Sequence, residues 1–177
     1  MDFQEFPKMA RLSREIIITE KIDGTNAQIL ISDDGSMMFG SRTRWITPQD
    51  DNYGFAAWAD AHRDELLKLG PGRNFGDRWG AGIQRKYGMK EKVFSLFNVS
   101  RWSGEDRPAC CRVVPELYRG PFVMEAINWQ LTTLDLEGSR AAPGFMNPEG
   151  IVVFHTAAQV GFKKTIENDE VPKSLLR

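Results

Sequence analysis

A chain of 177 residues with 41% hydrophobic and 27% charged residues is long enough for one domain with a real core. Its 23 Lys and Arg against 24 Asp and Glu leave a net charge of −1, which excludes a protein that coats nucleic acid by bulk charge; basic residues must be gathered on one face. No apolar run approaches the roughly 20 residues that span a bilayer, and the acidic start Met1-Asp2-Phe3-Gln4-Glu5 is not a secretory signal. The adjacent Cys110 and Cys111 cannot staple distant segments and suit a reducing cytosol, so no membrane association and a cytoplasmic location are expected.

In chain order, residues 1–14 read as an irregular lead-in with at most one short helical turn. The β-branched runs 15–20 and 26–32 predict strands, and Met37 to Gly40 a third, after the turn Asp33-Asp34-Gly35. Together they read as an antiparallel meander with Lys21 near its first corner. Asp50 to Tyr53 is helix-start chemistry, and Phe55, Trp58, Ala59, His62, Leu66 and Leu69 recur at helical spacing as far as Gly70. His62 lies on that apolar stripe and reads as a packing residue. Residues 74–88, with four glycines, read as a tight loop. Val93 to Val99, Cys111 to Val114 and Phe122 to Ile127 read as strands. A loop over 138–148 then delivers Glu149-Gly150 into a strand at Ile151 to Phe154, followed by a last strand at Val160 to Lys164. The polar tail after Asn168, with Pro172, reads as loosely held.

The stretch that organises these pieces is Thr19-Glu20-Lys21-Ile22-Asp23-Gly24-Thr25-Asn26, between the apolar runs Ile16-Ile17-Ile18 and Ile29-Leu30-Ile31. On local grounds Asp23-Gly24 is a turn and Lys21 a solvated side chain. A lysine fixed at the mouth of a sheet can also serve as a nucleophile when its surroundings disfavour the ammonium.

Further along the chain stand Ser41-Arg42, Gly76-Asp77, Leu96-Phe97-Asn98, Pro148-Glu149-Gly150-Ile151-Val152 and Phe162-Lys163-Lys164. In that order, with Lys21-x-Asp23-Gly24, they resemble the motifs of the covalent nucleotidyltransferases, and within them the RNA ligase family of phage double-strand RNA ligases and editing ligases. The runs at 80–84 and 138–150 resemble that family too, and the likeness spans roughly residues 15–170. It implies an α+β nucleotidyltransferase domain, ATP-grasp-like, with two packed antiparallel sheets flanked by helices and ATP in the groove between them. It also implies an ATP-dependent RNA ligase that works with Mg2+ or Mn2+. The lysine amine attacks the α-phosphate of ATP, AMP passes from the lysine to a 5′-phosphate end, and a 3′-hydroxyl displaces AMP to form the phosphodiester.

Carried over by that resemblance, Lys21 is the nucleophile and Lys163 contacts the α-phosphate. Glu20 helps to recognise adenine, and Asp23 belongs to the nucleotide site. Arg42 contacts the ribose or the nucleic-acid end. Asp77 stands where the family has a longer glutamate to bind the ribose hydroxyl, so a water is expected to bridge. Phe97 stacks on adenine, and Glu149 binds the metal, directly or through water. The second lysine of the family's last motif is displaced: Lys164 faces away from Lys163 by strand alternation.

The expected partner is RNA with 5′-phosphate and 3′-hydroxyl ends, including a nicked duplex, and a role in RNA repair, with a phage product in a host cytoplasm as one setting, is what the resemblance implies. Residues 1–177 read as a single domain without a C-terminal OB-fold or helical module, so an accessory domain or protein partner is expected to assist sealing. A DNA ligase, a GTP-dependent capping-type guanylyltransferase and a non-catalytic end-binding module are alternatives that the residues leave open.

Overall fold

A computed structural model describes residues 1–104, 106–171 and 175 of the chain. Two sheets carry the fold. The first has four strands in the order β10-β9-β1-β8, built from β1 (Glu15–Lys21), β8 (Glu116–Pro121), β9 (Gly150–His155) and β10 (Val160–Thr165). The second has six in the order β4-β3-β2-β5-β6-β7, from β2 (Thr25–Ile31), β3 (Met37–Gly40), β4 (Trp45–Ile46), β5 (Gly72–Gly80), β6 (Lys92–Leu96) and β7 (Cys111–Val113). Pairing is antiparallel throughout except between β6 and β7, which run parallel. The expected pair of purely antiparallel sheets is corrected at that edge.

β1 and β2 lie in different sheets, so they are not successive strands of a meander. The turn at 22–24 carries the chain from one sheet to the other, and Lys21 sits at that hinge. Gly24 closes the turn, its N–H bonded to Ile22 O at 3.0 Å. A Cβ there would stand 2.8 Å from Arg78 O and 3.0 Å from Trp79 Cβ, so glycine is needed for β5 to pass this closely.

The continuous apolar run of β1 is explained by burial on both faces. Ile16 and Ile18 pack against α4 (Met124–Glu137), with Ile127 and Leu134, while Ile17 joins Ile22, Trp79 and Tyr87 on the other side. In β2, Ala27, Ile29 and Ile31 alternate into a third cluster with Phe39, Phe55, Phe94 and Leu96. That cluster is roofed by α1 (Phe55–Ala61), α2 (Arg63–Leu66) and a 3-10 turn, Leu67–Leu69. The predicted helix is thus real but breaks at His62, whose Nδ1 lies 2.7 Å from Trp58 O and whose ring packs on Trp58. Asp51 supplies the expected start, accepting from Ala56 N and Ala57 N at 2.8 and 2.9 Å.

Three expectations are corrected. Residues 74–80 are not loop but most of β5, a central strand of its sheet. Gly76 is there for close approach, since a Cβ on it would lie 2.2 Å from Ser95 O. Residues 124–127 open the helix α4 instead of forming a strand; Ile127, Leu131 and Leu134 fall on one helical face. The adjoining strand is β8, just before it. β6 ends at Leu96, and Val99 begins the short helix α3 (Val99–Trp102), where Asn98 Oδ1 accepts from Arg101 N at 3.1 Å. Residues 1–11 form no regular element and are exposed, and Pro172 lies outside the described residues.

Candidate active site

The two sheets enclose a groove of about 880 Å³. Lys21, the last residue of β1, reaches it from one sheet, and Asp77 and Phe97 from the other. The Lys21 ammonium donates to Glu149 Oε2 at 2.6 Å, with the lysine side chain 24% and the glutamate side chain 8% exposed. The register explains the contact: Lys21 is opposite Gly150, so the residue before β9 is delivered beside the end of β1.

Asp77 is buried and accepts from Asn26 Nδ2 at 3.2 Å. Burial pushes its carboxyl up to about 7; the Lys21 charge opposes this, and the carboxylates of Glu149 and Asp23 reinforce it. Four ionisable groups from three separated segments are therefore within electrostatic reach of one another. Phe97 follows β6 and is 39% exposed at the groove wall, across from Val152 and Phe154 of β9. Lys163 is exposed on β10. Its partner Val152 also faces Thr19, so Lys163 shares the groove-side face of its sheet. Lys164 takes the opposite face and pairs with Asp169 at 3.5 Å. Arg42 is exposed beside a smaller cleft of about 150 Å³ that adjoins the groove at Asn26, Phe75 and Phe97.

Glu20 is also in the lining of the groove. Its carboxylate, 1% exposed as a residue, is turned to the loop after α4. It accepts from Ser139 Oγ at 2.6 Å, Arg140 N at 2.8 Å and Ala141 N at 2.9 Å. Strand alternation sends this side chain away from Lys21, and its carboxylate anchors the loop that leads to Glu149. Burial raises its pKa, against the lowering effect of those hydrogen bonds.

Other members of the site were not singled out from the sequence. Arg85 donates to Asp23 Oδ2 at 3.3 Å and to Asn147 O and Pro148 O at 3.1 and 3.3 Å, tying the Lys21 turn to the Glu149 loop. The Asp23 N–H donates to the Tyr87 hydroxyl at 2.8 Å, and Tyr87 is wedged between Trp79 and Phe145. Arg85 directly follows the run at 80–84, and that position is its signal in the sequence. Asn26 followed the lysine motif and Phe75 preceded Gly76-Asp77, but neither carries a signal without the fold.

Among the described residues no three His, Cys, Asp or Glu assemble as a cage for a metal ion. The carboxylates gathered near Lys21 fit instead a divalent cation bound by one protein carboxylate, water and phosphate oxygens. No described helix is long and apolar enough to cross a membrane.

The RNA ligase family model matches residues 14–166. The chain belongs to the RNA ligase family. Solved structures of Naegleria gruberi RNA ligase share its fold. One variant with ATP and Mn is 21% identical over 94% of this chain and 53% of that one, with a TM-score of 0.66. A second with ATP and Mn is 19% identical over 88% and 51%, with a TM-score of 0.66. A third, with AMP and Mn, is 19% identical over 87% and 50%, with a TM-score of 0.65. The present chain of this RNA ligase family member spans about half the length of those structures. No curated protein sequence matches it.

Proposed function

We propose that this chain is the adenylyltransferase unit of an ATP-dependent RNA ligase that works through lysyl-AMP. The observation that carries the reading is Lys21, held at 2.6 Å from Glu149 at the floor of a groove large enough for a nucleotide. The attacking species is the free amine, so the ammonium must lose a proton to solvent first. The Lys21 nitrogen then bonds to the α-phosphorus of ATP while the bond to the bridging oxygen breaks and pyrophosphate leaves.

Phe97 and Val152, both in the lining of the groove, serve as walls for the adenine. Asp77 takes the ribose, through water given its shorter side chain, and Arg42 the ribose edge or the RNA end. Lys163 meets the α-phosphate from the neighbouring strand. Asp23 and Arg85 hold the turn and loop in register, and Glu20 anchors the loop from behind. Glu149 holds the Mg2+ or Mn2+ that arrives with the nucleotide, and the ion supplies charge neutralisation at the phosphates. The adenylate passes to a 5′-phosphate RNA end, which a 3′-hydroxyl then attacks.

The test is incubation with magnesium and ATP labelled on the α-phosphate, with labelled GTP and a Lys21→Ala variant alongside, after stripping with pyrophosphate. A labelled protein band with ATP that is absent in the variant supports the reading. A band with GTP alone moves the protein to capping-type chemistry, and no band with either nucleotide removes the enzyme assignment.

A further inference from the structure

The sheet face that bears Asp77 runs from the groove wall, where Phe75 and Phe97 line it, outward to Trp45 beyond the groove. A single transverse row crosses four strands there: Trp45 is opposite Gly40, Gly40 opposite Gln28, and Gln28 opposite Phe75. The row is extended by Phe97, whose N–H donates to Phe75 O at 3.0 Å. Residues paired in this way present side chains on one face. Trp45 is 41% exposed, Phe75 52% and Phe97 39%, so three large rings face solvent along one line. At about 4.8 Å per strand, Trp45 and Phe75 stand roughly 14 Å apart.

The row is organised by polar contacts. Gly40 has no side chain, and Gln28 lies over it; a Cβ on Gly40 would be 2.8 Å from Gln28 Cγ. Gln28 donates to Ser41 O at 3.1 Å and accepts from Arg73. Arg73 in turn lies with its guanidinium carbon 5.3 Å from the centre of the Trp45 ring. The 150 Å³ cleft between Phe75 and Phe97 opens beside Arg42. Arg44 is neutralised by Asp50 at 2.5 Å, whereas among the described residues Arg42 and Arg73 have no carboxylate partner.

We propose that this row is a stacking shelf for an unpaired RNA strand running outward from the end held at Lys21, with bases on Phe75 and Trp45 and phosphates on Arg42 and Arg73. Aromatic rings alternating with arginines on an open sheet suit single-stranded RNA, because every base has a stackable face and the backbone answers the cations. The inference rests on the ligase reading only for the identity of the strand.

The experiment is fluorescence anisotropy of a short labelled single-stranded RNA with a 5′-phosphate, beside the Lys21 adduct assay. Trp45→Ala is expected to weaken RNA binding about tenfold, within the range for loss of one stacked base, and Trp45→Phe to keep most of it. Both variants are expected to form the ATP adduct at the wild-type rate, since Trp45 lies outside the groove. Arg73→Gln is expected to flatten the dependence of log affinity on log salt by about 0.7, the value of one single-strand phosphate contact. Wild-type affinity in Trp45→Ala, or no RNA binding by the wild-type chain, overturns the shelf. So does equal loss in the Ala and Phe variants. A normal adduct with any of these results leaves the ligase reading standing, whereas no adduct with the expected binding losses keeps the shelf and removes the ligase.

Discussion

Asp77 is the residue whose replacement tests the electrostatics of the site most directly. It is 8% exposed, and its carboxyl is raised from 3.8 to about 7, chiefly by burial. Below pH 3.8 both folded and unfolded chains hold the proton, and the group is neutral to stability. Between 3.8 and 7 the folded chain keeps a proton that the unfolded chain has released, so its stabilising effect is lost as pH rises, and above 7 the full cost of the buried charge remains. At about 1.36 kcal/mol for each tenfold change in proton affinity, the ceiling on that cost is about 4 kcal/mol. Asp77→Asn removes the charge and keeps an oxygen to accept from Asn26. The variant should therefore gain on the wild type as pH rises, reaching about 1–3 kcal/mol above pH 7. In a chain of this size that is about 2–4 °C of melting temperature for each kcal/mol. Melting curves of both proteins from pH 4 to pH 9 give the answer. A stability difference that does not change with pH would refute the account of Asp77 as a buried, proton-holding acid.

Glu20→Ala leaves Ser139 Oγ and two backbone N–H groups without their acceptor, and should cost about 2–4 kcal/mol in urea unfolding; unchanged stability with a raised KM for ATP would return Glu20 to the adenine. Glu149→Gln breaks the ion pair with Lys21 and is expected to slow formation of the Lys21–AMP adduct at least about 100-fold. Labelling at the wild-type rate would remove Glu149 from the machinery. Gly150 has φ 153, and a Cβ on it would lie 2.3 Å from Lys164 O. Gly150→Ala should therefore lower stability by about 2–4 kcal/mol by parting β9 from β10, and a melting temperature equal to wild type would contradict this. Asp77→Glu lengthens the side chain to the family's residue and should lower the KM for ATP if Asp77 takes the ribose; an unchanged or raised KM counts against that role.

The strands with period-2 burial were legible because alternation is a local property: Ala27, Ile29 and Ile31 announce their inward face without help from the rest of the chain. The order of the motifs around Lys21, Asp77, Phe97, Glu149 and Lys163 was legible for the same reason, since each is a short run. Gly76 misled because a glycine that admits a neighbouring strand looks, in sequence, like one that makes a turn; Ser95 O at 2.2 Å from its missing Cβ distinguishes them. Phe122 to Ile127 misled because Leu131 and Leu134, which complete the helical face, lie beyond the segment read as a strand.

Residue types and their alternation were written in the chain itself. Which strands share a sheet was not. β1 and β2 look like a hairpin, yet they part at Gly24 because each buries its apolar face against a different layer. Side-chain direction was likewise decided by the fold: neighbours in sequence, Glu20 and Lys21 take opposite faces of one strand, and so one carboxylate anchors a loop while the amine beside it meets Glu149 across 128 residues of chain.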